Sequence, residues 1–455
     1  MISLDPFFNP RSIALVGAAH TEIKLGGVVL KNLLKFRGEV FPVNPKYNEL
    51  MEIKAYPVIK ALPHSVDLAV VMRPAPEVPA ILRELKGRAK CVIIVSSGFA
   101  EAGETGLQEE VKRTGREIGV RIIGPNCMGI YDPYKRLDTF FLSYERLKRP
   151  KRGNVAVVSQ SGGVMTALFS AIRAANIGIS KAVGYGNAVD VDESDLYDYL
   201  SGDSRTDVVV SYIESVADGR KFIARAKALS ERKPLIVLKA GKGGSGQEAA
   251  FSHTGRLAGR YEVFRSILKE FGLREANDFE ELIDATKALS HQGVPRFPSP
   301  PLGNGGAARR VLIITNGGGS GVLAADECMR QGLEVTEVRK DKKEGLRQVF
   351  PVFFSINNPV DLTAQVTDED YKRVLDELRD DYDGFLIIAL PNIPGITEDL
   401  AGLAKSFRES TRKPMVFHVT EGGISARLTV LLEKARIPVY SSPEGAVRGL
   451  KALLR

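Results

Sequence analysis

Short apolar runs alternate with stretches of helical spacing from residue 10 to about 130. The runs are Ser12–Val16, Glu39–Val43, Leu68–Met72, Cys91–Ser96 and Val120–Ile123. Strand–helix alternation of this kind predicts a parallel sheet covered on both faces. Ligands of such sheets sit beyond the carboxyl ends of the strands. A second block, from about Asn154, has the runs Val155–Val158, Ser180–Val183, Asp207–Ile213 and Pro234–Leu238. Helical patterns cover Val164–Ala175, Tyr261–Phe271 and Phe279–Leu289, the last two closing the block.

A third block restates the second. Val311–Ile314 and the following Thr315–Gly321 parallel Val155–Val158 and Ser159–Gly163. Arg412–Val416 and Thr420–Gly423 parallel Arg232–Ile236 and the loop opening at Ala240. The two blocks read as a duplicated unit. The predicted organisation is α/β throughout, with three doubly wound parallel-sheet domains over residues 1–130, 154–290 and 310–455. Residues 131–153 read as a connection, and the Pro- and Gly-rich residues 291–309 as a linker.

Composition sets bounds. The 455 residues are 44% hydrophobic and 26% charged, as in ordinary globular proteins, and a core of this size needs no disulfide or metal. Cys91, Cys127 and Cys328 are far apart and form no Cys/His cluster, so no metal site is assigned and a reducing cytoplasm is expected. No apolar run approaches the roughly 18 residues of a membrane span, and Met1–Pro6 lacks the layout of a signal peptide. The net charge of +8 is spread along the chain. It reads as a mixed, solvated surface, part of which can face an anionic ligand. Tryptophan is absent and no basic–aromatic stripe occurs, so nucleic-acid binding is not expected.

The candidate chemistry lies on loops leaving the strands. Gly17-Ala18-Ala19-His20 is not the GxGxxG fingerprint, and Pro42-Val43-Asn44-Pro45-Lys46 offers a lysine where an NAD site holds an acid. Lys46 fits an extra phosphate on the ligand's ribose, which coenzyme A and NADP both carry; it also fits a plain surface turn. Pro74, the pair Ser96-Ser97, and Asn126 sit on three further loops suited to lying against a ligand, and equally on ordinary turns. Cys127 reads as a buried, inert thiol.

In the second block Ser159-Gln160-Ser161-Gly162-Gly163 opens a helix whose free N–H groups would bind phosphate. A serine cap alone does not require the double glycine. Glu214, at the end of its run, either orients a histidine or caps the next helix. The run Pro234–Leu238 delivers the glycine-rich loop Ala240–Gly259, which carries His253. A histidine there can be a nucleophile, a base or a ligand. The duplicate loop has no counterpart of His253, because His418 lies on the strand before it, so the chemistry is expected in the second block. His20, His64, His291 and His418 read as structural or surface residues. No GxxxxGK[ST] loop occurs.

Four anchors together carry a family resemblance: Gly124-Pro125-Asn126-Cys127 with a following glycine, Ser159-x-Ser161-Gly162, Glu214, and Ser252-His253-Thr254-Gly255. With them the chain resembles, over essentially its whole length, the α subunit of the NDP-forming acyl-CoA synthetases. These are the acetate–CoA ligase (ADP-forming) group of acid–thiol ligases, themselves similar to succinyl-CoA synthetase. Succinyl-CoA synthetases read Gly-His-Ala-Gly at the last anchor, so Ser252 and Thr254 depart conservatively. The third block, with Asn358-Pro359-Val360-Asp361-Leu362-Thr363, is typical of the acetate-type group.

The resemblance implies a Rossmann-like CoA-binding domain followed by two flavodoxin-like ligase domains. It implies CoA contacts at Gly17, Ala18, Ala19, Lys46, Pro74, Ser96, Ser97 and Asn126. His253 would be phosphorylated and dephosphorylated during turnover, with phosphate held at Ser159, Gln160, Ser161, Gly162 and Gly163 and the histidine oriented by Glu214. ADP or ATP and Mg2+ would be bound mainly by an ATP-grasp β subunit, in an assembly of two α and two β chains. A non-catalytic CoA- or acyl-CoA-responsive regulatory subunit is the alternative. The joint presence of His253, Glu214 and the Ser159–Gly163 loop weighs against it. An NADP oxidoreductase lacks both fingerprint and hydride-transfer residues.

Overall fold

The structure, a computed structural model, describes residues 3–243, 261–293 and 309–454. His253, its neighbours Ser252, Thr254 and Gly255, and the prolines of the expected linker lie outside the described residues. The chain divides into two compact units, Met1–Ala276 and Asn277–Arg455.

The first unit holds two sheets. In the first, β1 (Ser12–Val16), β2 (Glu39–Val43), β5 (Val66–Val71), β6 (Ala89–Ile94) and β7 (Arg121–Ile123) lie parallel in the order β2-β1-β5-β6-β7. A small hairpin, β3 (Glu49–Leu50) and β4 (Ile53–Lys54), stands apart. Ile13, Ala14 and Leu15 are fully buried, as are Leu68, Ala69 and Val70. Helices cover both faces, which is why these strands read as unbroken apolar runs rather than as alternation. Pro42 is tolerated because β2 is an edge strand.

The second sheet runs β14-β13-β12-β10-β11-β8-β9. Its members are β8 (Gly129–Asp132), β9 (Leu137–Asp138), β10 (Arg152–Ser159), β11 (Ile179–Gly184), β12 (Val208–Ile213), β13 (Leu235–Lys239) and β14 (Arg274–Ala276). Here the structure departs from the expected connection over 131–153, because β8 and β9 add an antiparallel edge to this sheet. In the basic stretch Arg146–Arg152 after them, Arg146, Lys148, Lys151 and Arg152 are exposed and Arg149 turns inward. Arg149 is buried against Asp138, Nε to Oδ2 at 3.0 Å, and also donates to the carbonyls of Leu142 and Leu147.

The second unit holds β15 (Val311–Thr315), β16 (Ser355–Ile356), β17 (Val360–Asp361), β18 (Gly384–Ala389), β19 (Met415–Val419) and β20 (Val439–Tyr440), in the order β16-β17-β15-β18-β19-β20. Helix Phe279–Gln292, expected to close the second block, instead packs in this unit on the C-terminal helix Pro443–Leu454. Arg448 meets Asp284 at 2.7 Å, and the Tyr440 hydroxyl donates to the Asp284 carbonyl.

Numbered by appearance, the parallel strands of every sheet fall in the order 2-1-3-4-5, a doubly wound topology with its switch point between the first and third strands. The second and third sheets also share an antiparallel strand beside their second strand. The duplication read from the sequence is therefore a duplication of topology. Among the described residues no helix is long and apolar enough to cross a membrane.

Candidate functional site

The switch point of the second sheet lies between β10 and β12. Ser159 ends β10 and turns the chain into helix Gly162–Ala174. Its hydroxyl donates to the Ser161 carbonyl at 2.8 Å and accepts the Ser161 N–H at 3.2 Å. Ser161 caps the helix, accepting the N–H of Val164. Gly162 and Gly163 follow with no side chains over the first turn, where N–H groups lack intrahelical partners. Helix starts of this kind attract anions.

Gln160 is committed elsewhere. Its backbone N–H bonds to the Tyr212 carbonyl at 3.1 Å. Its side-chain oxygen accepts the N–H groups of Glu214 and Ser215 at 2.9 and 3.0 Å, and its amide donates to the Ser215 hydroxyl. Of the five residues expected around phosphate, Ser159 and Gln160 thus brace the turn from within, Ser161 is buried as the helix cap, and Gly162 and Gly163 leave the helix start open.

Glu214 is buried one residue past β12. The Tyr212 phenol is pushed up by burial and by this carboxylate, to which it also donates. Sequence reasoning missed Lys239, the last residue of β13. It is 2% exposed, and its ammonium donates to the carbonyls of Glu214 (2.7 Å) and Ala240 (2.5 Å). A lysine directly at the end of the apolar run Pro234–Leu238 is its visible sign. Beyond it, Lys242 and Tyr261 flank the segment that contains His253. Both reach Glu275 on β14, at 3.6 and 2.7 Å.

The third sheet repeats the frame without the charges. Thr315 Oγ1 donates to the Gly317 carbonyl and accepts its N–H, as Ser159 does with Ser161. Asn316 bridges to Leu390 across the switch point, as Gln160 bridges to Glu214. Strand register then pairs Leu390 with Glu214 and Val419 with Lys239. Asp361 Oδ2 lies 2.8 Å from where a Cβ on Gly318 would stand, so an anion at that helix start would meet a carboxylate. His418 is buried, its Nδ1 3.1 Å from the Tyr440 carbonyl, and burial pushes its ring down.

In the first sheet the expected CoA residues follow the carboxyl ends of parallel strands. Gly17 has φ +95°, and a Cβ there would stand 2.6 Å from the Met72 carbonyl. Ala18 and Ala19 are buried, and Asn44 donates to the Ala18 carbonyl at 2.7 Å while accepting the Lys46 N–H. Lys46, Pro74 and Ser97 are exposed. The buried Ser96 hydroxyl has no hydrogen-bond partner among the described residues. Asn126 donates its N–H to the Ser96 carbonyl. Cys127 is buried and pushed up to about 12 by that burial, as expected of an inert thiol.

The two sheets of this unit meet at the Gly124–Gly129 loop. Asn187 and Val189 donate N–H groups to the carbonyls of Pro125 and Gly124. Met128 then lies against Gly162, its Cγ 3.2 Å from where a Cβ would be. The loop expected at CoA and the helix start expected at phosphate are therefore neighbours. Among the described residues no His/Cys/Asp/Glu group could hold a metal ion.

A CoA-binding frame joined to a doubly wound ligase sheet defines the class, and comparison with known proteins agrees. Residues 11–133 match the CoA binding domain, 152–289 the succinyl-CoA ligase like flavodoxin domain, and 311–389 the ligase-CoA domain. The chain is 38% identical to the acetate–CoA ligase [ADP-forming] II subunit alpha of Pyrococcus furiosus, covering 99% of this chain and 97% of that one. It is 37% identical to the acetate–CoA ligase [ADP-forming] of Methanocaldococcus jannaschii, of which it spans 62%. It superposes with a TM-score of 0.87 and 34% identity on an acetyl-coenzyme A synthetase 1 of Ca. Korarchaeum cryptofilum in complex with phosphate and ADP, covering 100% of this chain and 96% of that one. The chain belongs to the ADP-forming acetate–CoA ligase family, on the α-subunit side.

Proposed function

We propose that this chain is the CoA-side subunit of an ADP-forming acyl-CoA synthetase, and that His253 carries the phosphoryl group. A phosphate oxygen attacks the thioester carbonyl, the C–S bond breaks, and CoA leaves as the thiol, giving an acyl phosphate. The neutral imidazole of His253 then attacks phosphorus and the acid leaves as its carboxylate. ADP takes the phosphoryl group, the P–N bond breaks, and ATP is released. Each step is reversible.

The observation that carries this reading is the pairing of Glu214 with an open helix start at one switch point, next to the Gly124–Gly129 loop. The carboxylate would fix the histidine tautomer and stabilise the developing positive charge. The helix start at Ser161–Gly163 would hold the phosphoryl oxygens without a metal. CoA would lie along the loops bearing Gly17, Ala18, Ala19, Lys46, Pro74, Ser96, Ser97 and Asn126. An ATP-grasp β subunit would supply the nucleotide site and its Mg2+, in a heterotetramer of two α and two β chains working in the cytoplasm.

Incubation with that partner, Mg2+ and γ-labelled ATP tests the proposal. Acid-labile, base-stable label is expected on this chain and is expected to vanish in His253→Ala. An unlabelled wild-type chain, or label that survives the substitution, rejects it.

A further inference from the structure

Lys239 is an ammonium inside the protein, and water does not solvate it. Such a group is costly unless paired, so its position needs a reason. Two of its three donors are taken by the carbonyls of Glu214 and Ala240. The Phe264 ring lies 5.8 Å away. The charges facing it are Glu214 just past β12, Glu275 on β14 and Lys242 beyond β13. The fold itself does not demand a lysine here. In the third sheet, with the same topology and the same switch-point bridge, Val419 occupies this place and Leu390 that of Glu214. Lysine and carboxylate are present together in one copy and absent together from the other.

We infer that Lys239 is a positioning residue for Glu214: it fastens the Glu214 carbonyl to Ala240, at the start of the segment that contains His253, and sets a fixed positive charge behind the carboxylate. This inference rests on the phosphohistidine reading above. It gives the charged lysine a task that a merely packed side chain would not have. Burial pushes the ammonium down to about 8, against the opposing pull of Glu214 and Glu275. The charge is therefore in place at neutral pH and is lost on moving into the alkaline range.

The test follows the pH dependence of labelling in the full chain with its nucleotide-binding partner. The wild-type rate is expected to fall as pH rises through about 8. Lys239→Arg, which keeps its charge, is expected to move that fall upward. Lys239→Met is expected to label about 10–100-fold more slowly at neutral pH, with no fall near 8. Independently of activity, NMR of the ε-13C-lysine-labelled full chain should show Lys239 titrating near 8, and Glu214→Gln should lower that midpoint. Wild-type labelling by Lys239→Met, or a midpoint indifferent to Glu214→Gln, overturns the inference while leaving the phosphohistidine reading intact. A wild-type chain that takes no label overturns both.

Discussion

Gln160 holds Glu214 from behind: its side-chain oxygen accepts the Glu214 N–H at 2.9 Å, across the switch point of the second sheet. The same oxygen takes the Ser215 N–H, and the amide donates to the Ser215 hydroxyl. One buried side chain thus sets the direction in which the carboxylate leaves β12. Asn316 makes the equivalent bond to Leu390, where no carboxylate follows. The brace belongs to the fold, and the charge was placed upon it.

Gln160→Ala is therefore expected to cost both stability and chemistry. Two buried N–H groups lose their acceptor, at about 1–3 kcal/mol for each left unsatisfied. Thermal denaturation should show a lower midpoint, and phosphoryl labelling should slow further than the stability loss explains. Asn316→Ala is the control. It should lower stability similarly and leave labelling near wild type. Equal effects on labelling would remove the special role of the Glu214 copy.

Lys46 is exposed, with its backbone N–H fixed by Asn44. An exposed charge pair is worth up to about 1 kcal/mol. Lys46→Ala is expected to weaken CoA about 2–5-fold, within that range, and to leave dephospho-CoA nearly unchanged in calorimetric titration. Equal losses for the two ligands would reject a contact to the 3′-phosphate.

How much of this was legible depends on what a residue does. β1 and β2 coincide with their apolar runs, and β12 differs by one residue, because strands buried on both faces announce themselves by composition. The antiparallel strands β8 and β9 do not show in the apolar pattern. Their four and two residues carry Asp132 and Asp138, polar groups that are silent partners of Lys181 and Arg149. The helical pattern over Phe279–Leu289 shows a buried face but not the surface it meets, which is helix Pro443–Leu454 of the second unit. Among the candidate site residues, Glu214 and Ser161–Gly163 stand out in the sequence, because a lone carboxylate ends an apolar run and a double glycine follows two serines at a helix start. Gln160 and Lys239 act through backbone atoms of other strands, and only the sheet order brings those atoms within reach.

Gly186 sits at φ +59°, where a Cβ would stand 2.2 Å from the Asn126 carbonyl oxygen and 2.4 Å from that of Pro125. Both are backbone atoms of the expected CoA loop. Gly186→Ala would add about 1–2 kcal/mol of left-handed strain and push the loop away. Weaker CoA binding is expected together with a lower melting temperature. A lower melting temperature with unchanged CoA affinity would make the clamp purely structural.

Glu193 gives the pH dependence of stability. It is buried at the start of helix Glu193–Gly202. Burial first, and then the neighbouring Asp192, push its carboxyl from 4.5 up to about 7, despite the opposing influence of the Tyr185 hydroxyl and Lys221. A raised carboxyl binds its proton more tightly when folded than when unfolded. Between about 4.5 and 7 the native chain therefore holds the extra proton, and stability falls as pH rises through that window. The cost, complete above pH 7, is about 3 kcal/mol. Glu193→Gln keeps the shape of the side chain without the charge. It should raise the melting temperature at pH 8 and leave it nearly unchanged at pH 4.5, as followed by calorimetry. A gain that is the same at both values would show that packing, and not the buried charge, sets the difference.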